Sequence, residues 1–228
     1  MAREVENEPF LRVNMNPFHL LIVVGICIGS YYFSQSHWTF NQLDKTLPRY
    51  YPVGLGDHAR DTIYQRFPAF RLLNQDSSFF KVPKQDSLSS FLIVNALGTF
   101  ADSIRDEKVA QLQRLQTSIE PLDDVKILSF VVDSSIQSPS ALKSLALAFG
   151  ANSNKWEIVS ADWPFLYLLL NNALHLKVNK DTYHIGLSER FVLIDRVGVT
   201  RGLYDGTKEA DIDRLLDDII FLRATKIK

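Results

Sequence analysis

The sequence predicts a single three-layer α/β domain that is attached to one N-terminal membrane helix. Three observations support this prediction. A long run without charged side chains lies near the amino terminus, strand-like and helix-like segments alternate through the rest of the chain, and a helix with one apolar stripe closes it. The alternating part has roughly 160 residues, which is enough to enclose a hydrophobic core of its own.

The composition is that of an ordinary globular protein. Hydrophobic residues make up 46% of the 228 residues, and 25 Lys and Arg against 26 Asp and Glu give a net charge of −1. So small a net charge attracts no phosphate backbone over a distance, which argues against nucleic acid as a partner. Cys27 is the one cysteine, so the chain can form neither an intramolecular disulfide nor a Cys-x-x-Cys pair.

The apolar run near the amino terminus predicts a membrane anchor. No Asp, Glu, Lys or Arg occurs between Arg12 and Asp44, and the segment from Pro17 to Phe33 is apolar throughout most of its length. We therefore expect a transmembrane helix over residues 17–36. A cleaved signal peptide is the alternative, but the bulky YYFSQSHW that follows the run offers no small-residue cleavage site.

The other domain boundaries follow from composition. Residues 1–16 are expected to be a tail. Residues 37–66 contain prolines and glycines close together without a sustained apolar period, which predicts a stalk or extended arm. The folded domain is therefore expected to occupy residues 67–228.

Seven segments of this domain have the β-branched and aromatic composition of strands. The first two flank Asn74-Gln75-Asp76 as a hairpin, and the last two flank Asp195-Arg196-Val197-Gly198, where Gly198 can take the left-handed conformation of a short turn. The third and fourth are too apolar for a sheet edge and predict buried strands. The seven segments are Phe70–Leu73, Phe79–Val82, Phe91–Ala96, Val125–Asp133, Trp156–Ser160, Arg190–Ile194 and Val199–Tyr204.

Four helices are predicted between and after these strands. They are Ser103–Ile119, a helix with Ser138 as N-cap and Pro139 in the first position, Trp163–Asn172, and a closing helix with Thr207 as N-cap. The closing helix carries Glu209 and Asp211 near its positive end. Its apolar residues recur at helical spacing and predict one buried stripe of Ile212, Leu215, Leu216, Ile219 and Ile220.

Several segments are similar, in order and spacing, to the Sco/SenC proteins. They are FPAFRLLNQD, DDVKILSFVVD, SPSALKSLALAFGANSNKWEIVSAD, LSERFVLIDRVGVTRGLYDG and DIDRLLDDIIFL, and the resemblance runs from Pro68 to Leu222. It implies a thioredoxin-like domain, with a central mixed β-sheet flanked by helices, tethered by one N-terminal transmembrane helix. It also implies a role at the binuclear copper centre of cytochrome c oxidase, either in delivering copper or in reducing thiols.

The resemblance also implies where a copper site would lie. In the family this activity depends on a Cys-Pro-x-x-x-Cys-Pro-like loop after the first core strand and on a histidine before a late strand, ligands that suit Cu(I) because soft sulfur selects it. In this sequence Ala101 and Arg105 occupy the two cysteine positions, and Leu187 occupies the histidine position. We therefore predict that the copper site has been lost and expect no metal and no cofactor.

Arg105 has two possible roles at its position. Its guanidinium could anchor an anion or a partner carboxylate, or it could be an exposed arginine at the start of a helix. His184 lies three residues before Leu187, and a pair with a carboxylate such as Asp102 would be an open, hard site. We expect His184 to be a solvated loop residue.

The remaining titratable pairs are expected to have structural or surface roles. His175 and His184 are nine residues apart and lack the third and fourth ligands that zinc and copper sites need. Asp123-Asp124 precedes a strand and Asp217-Asp218 lies in the closing helix, so both pairs are expected at a solvated surface. The apolar WPFLYLLL stretch is expected to pack in the core, with a docking face as the alternative.

The sequence thus predicts a membrane-anchored, Sco-like protein that is not an enzyme. It would act as a scaffold, assembly factor or accessory subunit of the respiratory cytochrome c oxidase machinery or a related membrane complex. The expected location is the bacterial inner membrane with the domain in the periplasm, or the mitochondrial inner membrane with the domain in the intermembrane space. Two alternatives stay open: a copper chaperone or thiol oxidoreductase of the Sco type, and a small-molecule binding module that uses the vacated cavity near Ala101, Arg105 and Leu187.

Overall fold

The computed structural model describes Ile28 and residues 46–56, 61–83, 88–98, 103–133, 136, 138–176 and 189–225. The chain divides into two compact units, Met1–Thr46 and Leu47–Lys228. Apart from Ile28 and Thr46, the first unit lies outside the described residues, and with it lie the predicted tail and most of the predicted anchor. Within the described ranges, no helix is long and apolar enough to cross a membrane.

The second unit contains every strand and long helix of the described residues. The strands are β1 (Pro52–Leu55), β2 (Thr62–Tyr64), β3 (Phe70–Leu73), β4 (Phe79–Val82), β5 (Phe91–Leu97), β6 (Val125–Val131), β7 (Trp156–Ser160), β8 (Arg190–Ile194) and β9 (Thr200–Asp205). The helices are α1 (Ser103–Ser118), α2 (Pro139–Phe149), α3 (Trp163–Leu168), a π-helical turn (Leu169–Ala173) and α4 (Glu209–Ala224).

Five strands form the central sheet in the order β7-β6-β5-β8-β9. The strands β5, β6 and β7 are parallel, whereas β8 and β9 pair antiparallel with their neighbours. Every residue of β5 is buried, because apolar groups cover both faces of the sheet there. The predicted α/β domain with a central mixed sheet flanked by helices is confirmed.

The two faces of this sheet belong to separate apolar clusters. Phe91, Ile93 and Leu97 of β5 pack with apolar residues of α1, α2 and α4. The alternate residues of the same strand pack with α3, the π-helical turn and the β3–β4 hairpin. The period of two in a strand thus assigns each β5 side chain to one of two cores.

The β3–β4 hairpin has the predicted position. Phe70 pairs with Val82, and Leu73 pairs with Phe79. In the turn, the Asn74 side-chain oxygen accepts hydrogen bonds from the backbone N–H groups of Asp76 and Ser78, each at 3.0 Å. An asparagine in this turn therefore fixes the chain reversal through its own side chain.

The domain begins earlier than composition predicts. Residues 37–66 are predicted to be a stalk, but the compact unit starts at Leu47, whose side chain is buried, and β1 and β2 form an antiparallel hairpin. The Tyr50 N–H donates to the Thr200 carbonyl at 3.0 Å, which attaches this segment to β9. Prolines and glycines are as typical of hairpin turns as of extended arms, and composition alone therefore misplaces the boundary.

Two local predictions are confirmed, one of a helix N-cap and one of a turn glycine. The Ser138 hydroxyl accepts a hydrogen bond from the Ala141 N–H at 3.2 Å, as expected of an N-cap. Gly198 adopts φ of 82°, in the left-handed region that the short β8–β9 turn needs. Both signals depend on residues next to each other in sequence, which is why they could be identified without the fold.

Two details of the closing helix were predicted wrongly. Lys208, not Thr207, occupies the N-cap position of α4, because the Thr207 hydroxyl instead donates to the Asp205 carboxylate at 2.7 Å. Ile220 is 59% exposed and lies outside the buried stripe. Asp218 and Leu222 take part in the buried face, together with Ile212, Leu215 and Ile219.

The predicted Trp163–Asn172 helix is divided into two parts. An α-helical part ends at Leu168, and a π-helical turn of five residues follows. Leu166, Leu169 and Leu170 are buried, so the expected core packing of this stretch is confirmed for these residues. Leu168 is 55% exposed and leaves an apolar side chain on the surface.

Candidate functional site

The candidate site lies where β5 ends and α1 begins, because the resemblance to the Sco/SenC proteins places two ligand positions there. The Val132 N–H donates to the Leu97 carbonyl at 2.9 Å, so β5 and β6 stay paired to the carboxyl end of the sheet. Arg105 lies in the first turn of α1. Ala101 and Leu187, the other two positions, lie outside the described residues.

Arg105 already has a carboxylate partner. Its Nε and Nη2 atoms donate to one oxygen of Asp106, at 3.0 and 2.6 Å, and its side chain is 17% exposed. The guanidinium carbon also lies 5.9 Å from the ring centre of Phe149 in α2. An external anion would therefore compete with Asp106 for this guanidinium.

Lys108 is buried one turn further along α1. Its side chain is 1% exposed, and its ammonium donates to the Ala96 carbonyl of β5 at 2.6 Å. The same nitrogen lies 6.0 Å from the ring centre of Phe191. This contact joins the beginning of α1 to the end of β5, at the junction that the resemblance identifies.

The sequence contains a signal for Lys108 that our sequence analysis missed. Lys108 precedes the buried residues Leu112, Leu115 and Ile119 by four, seven and eleven residues, which is the spacing of one helical face. A lysine in that phase must enter the core with its apolar stem and find an acceptor for its ammonium. The helical phase therefore identifies Lys108 as a buried residue.

A chain of hydrogen-bonded, buried side chains crosses the strands β7, β6 and β5. The Trp156 indole N–H donates to the Ser129 hydroxyl at 2.8 Å, and that hydroxyl donates to the Asn95 side-chain oxygen at 3.0 Å. The Asn95 Nδ2 atom is buried and has no hydrogen-bond acceptor among the described residues. A single asparagine inside the apolar FLIVNAL run was the sequence signal for this network.

The side chains at the β5–α1 junction are poorly suited to hold a copper ion. A guanidinium and an ammonium have no lone pair to donate to a metal, and the amide and hydroxyl groups are poor ligands for Cu(I). Among the residues that the structure describes, no three His, Cys, Asp or Glu side chains converge as a metal site requires. His184 and Asp102, the other ligands considered, lie outside the described residues.

His175 contributes to packing near the π-helical turn. Its ring stacks on the Tyr51 ring with 3.7 Å between the centres, and its Nε2 atom lies 2.9 Å from the Gln65 side-chain oxygen. Both Tyr51 and His175 have positive φ, at 61° and 52°. The Tyr51 phenol is partly buried, and this burial raises its pKa although Arg190 opposes the shift. Of the two histidines His175 and His184, His175 therefore has a structural role, and His184 lies outside the described residues.

The paired carboxylates are not uniformly solvated, contrary to our expectation. Asp218 is buried and accepts a hydrogen bond from the Tyr204 hydroxyl at 2.8 Å, whereas Asp217 is on the outer side of α4. Burial and the neighbouring Asp218 carboxylate raise the pKa of Tyr204 well above its ordinary value. The hydrogen bond between Tyr204 and Asp218 therefore joins β9 to α4 within the core.

Asp124 also has a structural partnership, whereas Asp123 is fully exposed. The Asp124 carboxylate forms ion pairs with Arg196 of the β8–β9 turn and with Arg223 of α4, the latter at 2.8 Å. These contacts connect the start of β6, the β8–β9 turn and the end of α4. All three lie at the end of the sheet opposite to the β5–α1 junction. Acid–base chemistry is not suggested by this arrangement.

The comparison with solved structures identifies the fold. A SCO1/SenC family lipoprotein from Bacillus anthracis superposes with a TM-score of 0.61 at 20% identity, over 70% of this chain and 95% of that chain. BsSco, a member of the Sco family of cytochrome c oxidase assembly proteins, superposes with a TM-score of 0.59 at 18% identity, over 71% and 95%. Copper-bound ScoI from Arabidopsis thaliana gives 0.53 at 15% identity, over 69% and 98%.

The chain therefore has the thioredoxin-like fold of the Sco/SenC structures. The similarity covers nearly the whole length of those proteins, and it agrees with the order of elements from the β3–β4 hairpin to α4. No protein-family model matches the sequence, and no curated protein sequence matches it significantly. At identities of this size the likeness concerns the fold.

Proposed function

We propose that this chain is a membrane-anchored Sco/SenC-like protein with a degenerate copper site. It acts as a non-catalytic scaffold, assembly factor or accessory subunit of the respiratory cytochrome c oxidase machinery. The proposal includes an anchor over residues 17–36. It locates the domain on the periplasmic side of the bacterial inner membrane or, in a mitochondrion, in the intermembrane space.

One observation carries the proposal. The chain has the Sco-type fold, yet its one cysteine, Cys27, precedes the compact unit that forms this fold. Thiol exchange requires a thiolate, and Cu(I) selects soft sulfur ligands. A Sco-type domain without thiols has no sulfur ligand with which to hold or transfer copper.

The groups at the β5–α1 junction support the same proposal. Arg105 and Lys108 lie in the first two turns of α1, close to where the resemblance places the ligands, and neither has a lone pair for a metal. These two side chains therefore do not replace the missing thiols as metal ligands.

The partner is tested by isolation from native membranes. The tagged full-length chain is extracted in mild detergent and separated by native electrophoresis, and the proteins that migrate with it are identified by mass spectrometry. We expect subunits or assembly factors of the oxidase. A tagged fragment of residues 1–46 is the matched control, because it retains the predicted anchor and lacks the domain. Equal recovery of oxidase proteins with this fragment, or none with the full chain, would contradict the proposal.

The copper-chaperone alternative is tested on the same preparation. The full-length protein is reduced, loaded with Cu(I) and dialysed against a competing chelator, and the retained copper is measured. We expect no stoichiometric copper because the domain has no thiolate to hold it. One chelator-resistant copper per chain would instead support copper delivery through unconventional ligands.

A further inference from the structure

One side of the domain exposes apolar side chains next to an apolar groove. Ile63 of β2 is 50% exposed, and Leu168 at the end of α3 is 55% exposed. Leu168 borders a groove of about 380 Å³, which is lined mainly by apolar groups of Pro68, Phe165, Leu168, Leu169 and Ala173, with Gln65, Arg66 and Asn172. We call Ile63, Leu168 and this groove the apolar surface.

Ile63 is linked to the groove through Gln65, which is one of the lining residues. Ile63 and Gln65 are two residues apart in an extended segment and share one face of it. The Gln65 side-chain N–H donates to the Asn172 carbonyl in the π-helical turn, and its oxygen lies 2.9 Å from His175 Nε2. These contacts fix the hairpin against the helix, so the groove does not depend on a loose segment.

The opposite face of the same hairpin provides a comparison. Leu55 pairs directly with Thr62, so its side chain lies on the other face from Ile63. Leu55 is 70% exposed and lies outside the groove lining. The hairpin therefore has three exposed aliphatic side chains, Val53, Leu55 and Ile63, of which Ile63 belongs to the apolar surface.

A cationic group borders the apolar surface. Arg66 is exposed and is one of the residues that line the groove. Apolar side chains bordered by a basic residue are typical of surfaces that rest in a bilayer interface. Arginine at the rim complements lipid phosphates in charge.

The length of the preceding chain brings a membrane within reach. The apolar run ends at Phe33 and the domain begins at Leu47, so residues 34–46 connect them. A fully extended chain of this length spans about 45 Å, and a flexible one has a typical end-to-end distance of about 20 Å. Tethering at such a distance makes contact with the bilayer effectively intramolecular.

We propose that the apolar surface docks on the lipid bilayer, with an acyl chain in the groove and phosphate groups at Arg66. This inference rests on the membrane anchor of the proposed function. It adds that the domain is held against the membrane with α3 and the Ile63 face of the hairpin toward the lipid. The β5–α1 junction would then have a fixed orientation relative to any membrane-embedded partner.

The inference is tested by spin labelling of the full-length chain in vesicles of phosphatidylcholine and phosphatidylglycerol without other proteins. In a Cys27→Ala background, a single cysteine is introduced by Ile63→Cys or by Leu168→Cys and labelled. The accessibility of each label to oxygen and to a water-soluble nickel complex gives its depth. We expect both labels to lie about 5–10 Å below the phosphate level, the depth of interfacial side chains.

Two exposed aliphatic positions are the matched controls. Leu55→Cys tests the opposite face of the same hairpin, and Leu147→Cys tests α2, where Leu147 is 74% exposed. Both labels should remain accessible to the nickel complex, and unchanged circular dichroism should confirm that all four variants are folded. Labels at Ile63 and Leu168 that are as accessible as the label at Leu147 would overturn the inference and assign the groove to a protein partner.

Flotation after an alkaline wash separates this inference from the anchor on which it rests. A chain that floats with the vesicles but exposes its Ile63 and Leu168 labels to water retains the anchor and contradicts the docking. A chain that fails to float contradicts the anchor, and the docking inference falls with it.

Discussion

Arg201 and Lys108 are both buried cations that donate to backbone carbonyl groups, but they connect very different stretches of chain. Arg201 forms an ion pair with Asp195 at 3.0 Å and donates to the carbonyl groups of Leu47 and Pro48, at 2.9 and 3.1 Å. Lys108 donates to the Ala96 carbonyl at 2.6 Å, only twelve residues away in sequence. The first contact closes the domain, whereas the second shapes one strand–helix junction.

The two buried cations should therefore have different effects: Arg201 on the stability of the whole domain, and Lys108 on the geometry of the candidate site. Arg201 joins the first residues of the compact unit to its last strand, so its loss affects the whole domain. Asp195 is fully buried; the N–H groups of Val197 and Val199 donate to one of its oxygens, and Arg201 places a positive charge beside the other. Lys108 acts within a single strand–helix unit, at the end of the sheet where the resemblance places a metal site.

The largest effect that we predict concerns the metal-ligand positions at the β5–α1 junction. The triple variant Ala101→Cys, Arg105→Cys and Leu187→His recreates two thiolates and one imidazole on the Sco-type fold. It should bind Cu(I) more tightly than the parent by orders of magnitude, because a preformed scaffold avoids the cost of gathering the ligands. Competition with a Cu(I) chelator measures the gain.

The three single variants are the controls for this experiment. Each should gain far less than the triple variant, since one new ligand leaves the coordination shell incomplete. A triple variant that folds, stays reduced and shows no gain would contradict the placement of the lost site at these positions.

The largest stability effect should follow the loss of Arg201. We expect Arg201→Met to lower the free energy of unfolding of residues 47–228 by about 3–5 kcal/mol, because it leaves the Asp195 charge buried without its partner. Urea unfolding followed by circular dichroism measures the change. Arg114→Met is the control: it breaks a more exposed ion pair with Asp213 and should cost at most about 1 kcal/mol.

A shorter fragment tests whether Arg201 closes the domain. In residues 67–228 the Leu47 and Pro48 carbonyl groups are absent, so Arg201 has lost two of its three acceptors. Arg201→Met should therefore cost less in this fragment than in residues 47–228. Equal costs would show that the contact with the first residues of the domain contributes nothing to stability.

Replacement of Lys108 should have a much smaller effect on stability. Lys108→Met keeps the volume and apolar stem of the side chain, and the loss of the hydrogen bond to Ala96 is offset because a charge no longer has to be buried. We expect the free energy of unfolding to change by less than about 1 kcal/mol. A loss as large as that of Arg201→Met would show that the two buried cations are equivalent.

The two cations also show which features a sequence can predict. Gly198 and Ser138 were identified correctly because a turn and an N-cap depend on neighbouring residues. Arg201 and Leu47 meet across 154 residues, and no local pattern connects them. Lys108 is an intermediate case, since its helical phase identifies its burial but not its acceptor.

The same reasoning explains the outcome at the candidate site. The strand and helix that form the β5–α1 junction follow from hydrophobic period, and the absence of thiols from the domain is a property of the sequence itself. Asn95 and Ser129 lie on adjacent parallel strands whose register is known only from the sheet. Polar networks of this kind depend on register, which single-strand patterns do not contain.

The smallest effect that we predict belongs to an exposed ion pair that contrasts with both buried cations. Asp205 accepts hydrogen bonds from the Thr207 N–H and hydroxyl at the start of α4 and pairs with Lys208 at 2.7 Å. Partial burial alone would raise the pKa of this carboxyl, but the hydrogen bonds from Lys208 and Thr207 outweigh it and lower the pKa from 3.8 to about 2.

A lowered pKa in the folded state means that the ionised carboxylate stabilises the fold above pH 4. This contribution should disappear as the pH falls from about 4 to about 2, because the folded protein must then bind the proton that the unfolded chain has already taken up. Asp205→Asn should remove this part of the acid destabilisation. The effect should stay below about 1 kcal/mol because Lys208 is exposed and solvent screens the pair. Unfolding at pH 2, 3, 4 and 6 compares the variant with the parent, and identical pH profiles would contradict the assignment.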